Sequence, residues 1–310
     1  MSDLYRKRVL GAKIETTPGT AISLSGSDAA MNVFNLVANP TAASEQRMGQ
    51  GAFGQLASVV GLQTGQFTFM TELYGSSGAA PSWLQTLFAG CGVSYSAGVF
   101  SPKSEMPGSN VKTLTLGAYT NGVYKQIAGA MGNVSMTVPA GGRVMLNWTF
   151  QGRWTTPTDV AIVAPTYPTP LPTMAKSVTA ITVGAWTPRI TNLTFDLGNV
   201  VVPRPGINSD GGLHSYLVTD RFPTGTLDPE STLVATNPLY TQWISSTEQA
   251  FDLTLESSTG DTVISLDIPK FQVSNAQEGD RSGIQFDTVT YQANRGNTGN
   301  DEFTLTFAAA

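Results

Sequence analysis

The sequence predicts a mainly β protein built as two tandem sandwich or barrel units, each carrying one short α-helix. Three observations predict it. Short segments alternate in polarity, as in "GQFTFMTEL" (65–73), where Phe67 and Phe69 oppose Thr68 and Met70; that period places one face in a core. Residues suited to tight hairpins separate such segments, among them Asn121-Gly122 and Thr259-Gly260-Asp261. Finally, the order strand, long loop, strand, short helix, hairpin, hairpin occurs twice, and internal repeats constrain a fold before anything else does.

Residues 1–32 read as a polar N-terminal arm with one strand at 8–14 and a turn at "TTPGT". The first unit spans 33–154 and opens with a strand at 33–37. Residues 39–63 hold no sustained period, and a loop of that length is usually functional or disordered. "APSWLQTLFAGCG" (80–92) reads as a helix. Pro81 suits its first position, Trp83, Leu84, Leu87 and Phe88 form one apolar face, and Gly90 and Gly92 end it. Residues 111–130 form a hairpin. Strands at 133–138 and 144–154 form a second one through 139–142.

Residues 155–188 are a proline-rich connector, extended, with enough apolar side chains to lie across a surface. The second unit, 189–310, starts with a strand at 189–199 and a loop to 222. "NPLYTQWISS" (237–246) repeats the helix, with Asn237 as N-cap and Leu239, Tyr240, Trp243 and Ile244 as its apolar face. Hairpins follow at 250–270 and 271–292, and a strand at 302–308 closes the chain. Gly122 and Gly260, Gly141 and Gly279, and Arg143 and Arg281 share one constant separation, which supports a duplication.

Composition narrows function. Of 310 residues, 41% are hydrophobic and only 13% charged, about half the usual charged share. A β protein so poor in charge is expected to cover its surface with copies of itself. The net charge of −5 offers no basic excess to hold phosphates, which argues against tight nucleic-acid binding. An acidic wall would instead let DNA slide past. No segment approaches the length of a membrane span, and the N-terminus lacks the apolar region of a secretory signal.

Chemistry-bearing motifs are sparse. Cys91 and His214 are the only residues of their kinds, too few for a zinc site of nitrogen and sulfur ligands. Cys91 is expected to be a buried, inert thiol, and His214 a loop-packing residue. No G-x-S-x-G elbow presents a serine. The acidic stretches 208–212 and 297–302 do not match a calcium loop and read as solvated turns. Asn133, Asn147 and Asn192 stand in N-x-S/T sequons and read as strand residues. Neither enzyme chemistry nor a cofactor is expected.

Four phrases carry a family resemblance: "LGAKIETTPGTA", "FTFMTELYGSSGAAPSWLQTLFAGCG", "GAMGNVSMTVPAGG" and "INSDGGLHSYLVTDRFPTGTLDPE" (207–230). Together they resemble the major tail tube proteins of long-tailed bacteriophages, over most of the chain. The resemblance implies stacked rings around a channel for DNA, located in the virion tail after assembly in the host cytoplasm. It implies as partners the protein itself and the tail tip, tape-measure and terminator proteins, with DNA in transient passage. Tube rings of this kind are sixfold, so a chain with two tube-like units is expected to close as a trimer of pseudo-sixfold symmetry.

The arm, the loops 39–63 and 199–222 and the C-terminal strand are the expected subunit and ring interfaces. Within them Arg6, Arg8, Lys13, Arg47, Phe53, Arg204, Asp210 and Asp220 are the candidate contact residues. Two alternatives remain: a two-domain β-sandwich binding or adhesion module, for which Trp148, Trp154 and Trp186 would have to be exposed, and the tube of a related injection or bacteriocin apparatus.

Overall fold

The computed structural model describes residues 7–41, 44–51, 53–176 and 179–310. The first half contains β1 (Arg8–Ile14), β2 (Val33–Pro40), β3 (Ser44–Met48), β4 (Gln55–Val60), β5 (Thr64–Glu72), α1 (Ser82–Ala89), β6 (Val93–Ser96), β7 (Val99–Pro102), β8 (Leu114–Thr120), β9 (Val123–Pro139) and β10 (Met145–Asp159). β10 runs five residues into the expected connector 155–188, and β11 (Thr182–Val183) lies within it; after it come β12 (Asn192–Asp196), β13 (Asn199–Pro205), β14 (Leu213–Arg221), β15 (Thr224–Leu227), α2 (Leu239–Ile244), β16 (Glu248–Glu256), β17 (Thr262–Arg281), β18 (Ile284–Ala293) and β19 (Thr304–Ala309). The protein is mainly β, as expected, with two short α-helices.

The alternation in β5 buries Phe67 and Phe69 on one face. β10 pairs with β5 so that Phe150 lies opposite Phe67 and Trp148 opposite Phe69. Trp148 stacks on Phe69 with ring centres 6.4 Å apart and meets Phe88 of α1 edge-on at 5.2 Å. Its Nε1 donates to Thr71 Oγ1 at 2.9 Å, so the buried indole has its partner. The β8–β9 turn uses Asn121 and Gly122 at φ 46° and 96°, the left-handed pair that a two-residue hairpin requires.

Strand order in the first half is β2-β5-β10-β9-β8-β1, and in the second β12-β15-β18-β17-β16-β11. Both halves carry a bulge at the same place: the β9–β10 register shifts between Gln151 and Arg153, the β17–β18 register between Val273 and Asn275. All pairings are antiparallel. Two ladders merge the halves into one 15-stranded sheet. β12 pairs with the distal end of β9, Asn192 opposite Pro139 and Asp196 opposite Ser135. β19 pairs with β17 on one side and with β7 on the other. Beneath the ladders the apolar core is continuous across the seam. There Phe88, Val134, Met136 and Leu146 of the first half face Phe195, Leu197 and Phe303 of the second.

Several local expectations change. The stretches 39–63 and 199–222 are not irregular loops; they fold as the hairpins β3–β4 and β13–β14. β3 and β4 are exposed along their whole length, so no polarity period could mark them. Pro81 precedes α1 as its N-cap, with φ −63° and ψ 150°. At α2 the N-cap is Pro238, and the Asn237 side chain accepts a hydrogen bond from Gln242 Nε2 at 3.0 Å. The hairpins at 250–270 and 271–292 share one continuous strand, β17. Gly279 and Arg281 lie inside it, and the turn falls at Ser282 and Gly283. The constant spacing from Gly141 and Arg143 therefore marks no structural equivalence.

Between β10 and β11 the chain runs against the first half. Ile162 and Val163 pack against Val9 and Tyr119, Asn32 Nδ2 donates to Pro168 O at 3.0 Å, and buried Thr173 donates its N–H to Leu73 O at 2.8 Å.

Glu15, just past β1, is buried and fixes the arm. Its carboxylate accepts from Thr113 Oγ1 (2.7 Å), Thr115 Oγ1 (2.9 Å), Gly129 N (2.7 Å) and Gly19 N (2.8 Å). Glu15→Ala would leave these donors without their acceptor, at about 1–3 kcal/mol for each one that water cannot reach. A fall in unfolding free energy of about 3 kcal/mol or more is expected in urea denaturation. An unchanged midpoint would mean that the arm is not part of the cooperative fold.

Candidate assembly surfaces

The clearest candidate surface is the β3–β4 arm. Met48, Leu56, Val59 and Val60 are exposed on it, and Phe53 between the strands stands fully in solvent at 112%. Exposed apolar groups at this density mark an interaction site. The hairpin β13–β14 is docked: Leu213 and Tyr216 pack against Val111 and Met131. Its strands lie over β9 and β10, and Gly211 O accepts from Gln63 N at 3.0 Å. Ile207, beyond the end of β13, is again fully exposed.

Open strand edges form a second surface. Among the described residues β2 pairs only with β5, and β17 beyond residue 272 pairs only with β18. A free edge is a template for a further strand.

Helix α2 forms a third. α1 buries Trp83, Leu84, Leu87 and Phe88, but α2 leaves Ile244 81% exposed, beside exposed Leu233 and Val234. The expected apolar face of α2 is therefore only partly covered. Tyr240 Oη donates to Asp287 Oδ1 at 2.9 Å, and this bond to a carboxylate pushes the phenol up to about 12. Glu230, Glu278 and Asp287 line the recess beside the helix.

The candidate contact residues are dispersed over these elements. Arg6 lies outside the described residues. Arg8 donates from Nη1 to Leu36 O at 2.9 Å, and Lys13 meets Asp28 at 3.2 Å. Both bind their own chain. Arg47 and Phe53 are exposed on the arm, and Arg204 and Asp220 are exposed on β13 and β14. Asp210 has a 96% exposed side chain 3.7 Å from Arg153. Sequence reasoning missed Leu233, Val234 and Ile244; only the lack of any partner for a helix face could have pointed to them.

The seam also has a polar clasp: Asn133 Nδ2 donates to Asp196 Oδ1 at 2.7 Å, and Asn199 Nδ2 donates to Cys91 O and Gly132 O. Asp261 ties the halves a second time. It accepts from Thr259, Ser257 and Thr262 of its own turn and from Ser77 N at 3.0 Å. The Thr259 hydroxyl and the Ser77 amide hold its carboxyl well below the ordinary carboxylate range. A lowered folded-state value stabilises above the unfolded value and is lost as pH falls through the folded one. Asp261→Asn should therefore be less stable than the parent at pH 7, the gap closing below about pH 4. Parallel urea titrations at several pH values read this, and a pH-independent gap would contradict it.

Cys91 is fully buried, and burial pushes its thiol well up. His214 is half-buried at the start of β14, its backbone carbonyl close against Gly19. Among the described residues no three His, Cys, Asp or Glu side chains gather as a metal site, and no helix is long and apolar enough to cross a membrane. All five tryptophans belong to the core or pack against it: Trp83 and Trp148 are buried, while Trp154, Trp186 and Trp243 are partly so.

A large antiparallel sheet with open edges and an exposed apolar arm offers surfaces suited to association with further copies or partners. A family model described as phage tail tube protein matches residues 6–306. The chain belongs to the phage tail tube protein family, a family of self-assembling structural proteins of the virion tail. No curated protein matches it.

Proposed function

We propose that this chain is the major tube subunit of a long-tailed phage, assembled in the host cytoplasm as a trimeric ring of pseudo-sixfold symmetry. Rings stack into the channel that DNA traverses, with tail tip, tape-measure and terminator proteins as further partners. The observation that carries this reading is the repeated strand order, β2-β5-β10-β9-β8-β1 and β12-β15-β18-β17-β16-β11, with its bulge in the same place. Two alike units per chain and a sixfold ring require three chains, because a heterologous contact must close on itself. The net charge of −5 fits a wall that repels phosphates. The inward placement of the tryptophans speaks against an adhesion module. Electron microscopy of assembled material tests the proposal. Threefold rings with a six-lobed outline are expected; true sixfold rings would remove the duplication reading, and monomers in the presence of tail assembly factors would remove the tube.

A further inference from the structure

We infer that the recess beside α2 is a binding site for an arginine side chain presented by a peptide segment of a partner protein. The inference stands on the single chain and does not depend on how rings close or stack.

The recess holds about 170 Å³. That is less than the roughly 300–1,000 Å³ of a site for a drug-sized ligand and suits one side chain. Trp186 and Tyr240 give it aromatic walls, Glu230, Glu278 and Asp287 give it three carboxylates, and no lysine, arginine or histidine lines it. The ion pairs among the described residues all lie elsewhere, and Arg281 close by is engaged by Asp228 at 2.7 Å. Asp287 is only 6% exposed. Ser231 Oγ donates to its Oδ2 at 2.8 Å and Tyr240 Oη to its Oδ1 at 2.9 Å, which leaves lone pairs free on both oxygens. A carboxylate buried without a counter-charge is costly, so the recess is short of positive charge.

Asn237 adds a second requirement. It is 6% exposed and lines the same recess. Its Oδ1 accepts from Gln242 Nε2 at 3.0 Å, while its buried Nδ2 finds no acceptor. A donor left unmade in this way destabilises until an acceptor reaches it. The ligand must therefore bring an acceptor together with its positive charge. A metal ion brings none, and no three metal-binding side chains gather among the described residues. An arginine residue within a peptide brings both. Its planar guanidinium directs several donors at carboxylates and lies well against aromatic faces, and its main-chain carbonyl can accept from Asn237. Free arginine carries an α-carboxylate, which the three acidic groups would repel, and this favours the peptide-linked residue.

The test titrates the full chain with N-acetyl-arginine amide by calorimetry. Saturable binding is expected, with a dissociation constant on the order of 1 mM. The citrulline counterpart, of the same shape but neutral, should bind about tenfold more weakly or not at all, and free arginine more weakly than the amide. Asp287→Asn should weaken binding about tenfold. Glu278→Gln changes an exposed side chain, should keep the circular dichroism of the parent, and should weaken binding about threefold. Asn237→Ala should weaken the arginine amide but leave ethylguanidinium, which has no carbonyl, unchanged. Absence of saturable binding, equal binding of the citrulline counterpart, or indifference to Glu278→Gln and Asp287→Asn overturns the site. Tighter binding of free arginine overturns the peptide source. Microscopy of the tube, by contrast, decides only the proposed function.

Discussion

Trp148→Ala is expected to lower the unfolding free energy by about 3–5 kcal/mol, the range for truncating a buried tryptophan. Trp148 is 1% exposed and forms a triangle of rings with Phe69 and Phe150, with Phe88 roughly perpendicular to it. Its removal leaves a void among residues held in paired strands and in α1, which relax only partly into it. It also deprives the buried Thr71 hydroxyl of its donor. Domains of this kind are stable by only about 5–15 kcal/mol, so the variant should sit close to unfolding at physiological temperature. Urea denaturation with an unchanged slope reads the loss directly. Trp148→Phe keeps most of the apolar contact and should cost less than the alanine variant. If the two variants cost the same, the hydrogen bond and not the packing would be what matters.

Replacing 44–60 by a short Gly/Ser turn should abolish tubes and leave the monomer folded. No residue of β3 or β4 is buried in its own chain, so the stability change should stay small, about 0.5 kcal/mol, as for surface changes generally. Assembly should fail because Phe53, Met48, Leu56, Val59 and Val60 have no use within the monomer. Sedimentation and microscopy on the shortened chain decide it, and tubes of normal length would show that the arm is dispensable. Cutting the hairpin β13–β14 should instead destabilise the monomer, because Leu213 and Tyr216 would no longer cover Val111 and Met131.

Which parts of this fold were legible depended on whether a residue's environment was local. Phe67 and Phe69 alternate because one face of β5 meets a core, and the sequence shows that period. Asn121-Gly122 announces its turn because left-handed backbone selects those residues. The strand at 8–14 and both helices were placed on the same grounds. The arm at 44–60 was not legible as a hairpin, because both of its strands are exposed on every residue and its pattern carries no inside. Nor did the sequence betray that β17 runs unbroken through two hairpins, since continuity is decided by pairing with β16, β18 and β19 at once. The candidate surface fared similarly. Phe53 lies in a stretch marked only by its lack of period, whereas Ile244 is indistinguishable in spacing from Phe88, although one is covered and the other bare.

The seam between the halves has a consequence for how a tube would break. In the proposed ring, three joints lie inside chains, closed by Phe195, Leu197 and Phe303 over an apolar layer and joined by a covalent chain, and three lie between chains, with no covalent link. Force or chaotrope would find the second kind first. Such a ring would part along three lines, never six, and release intact subunits able to be built in again.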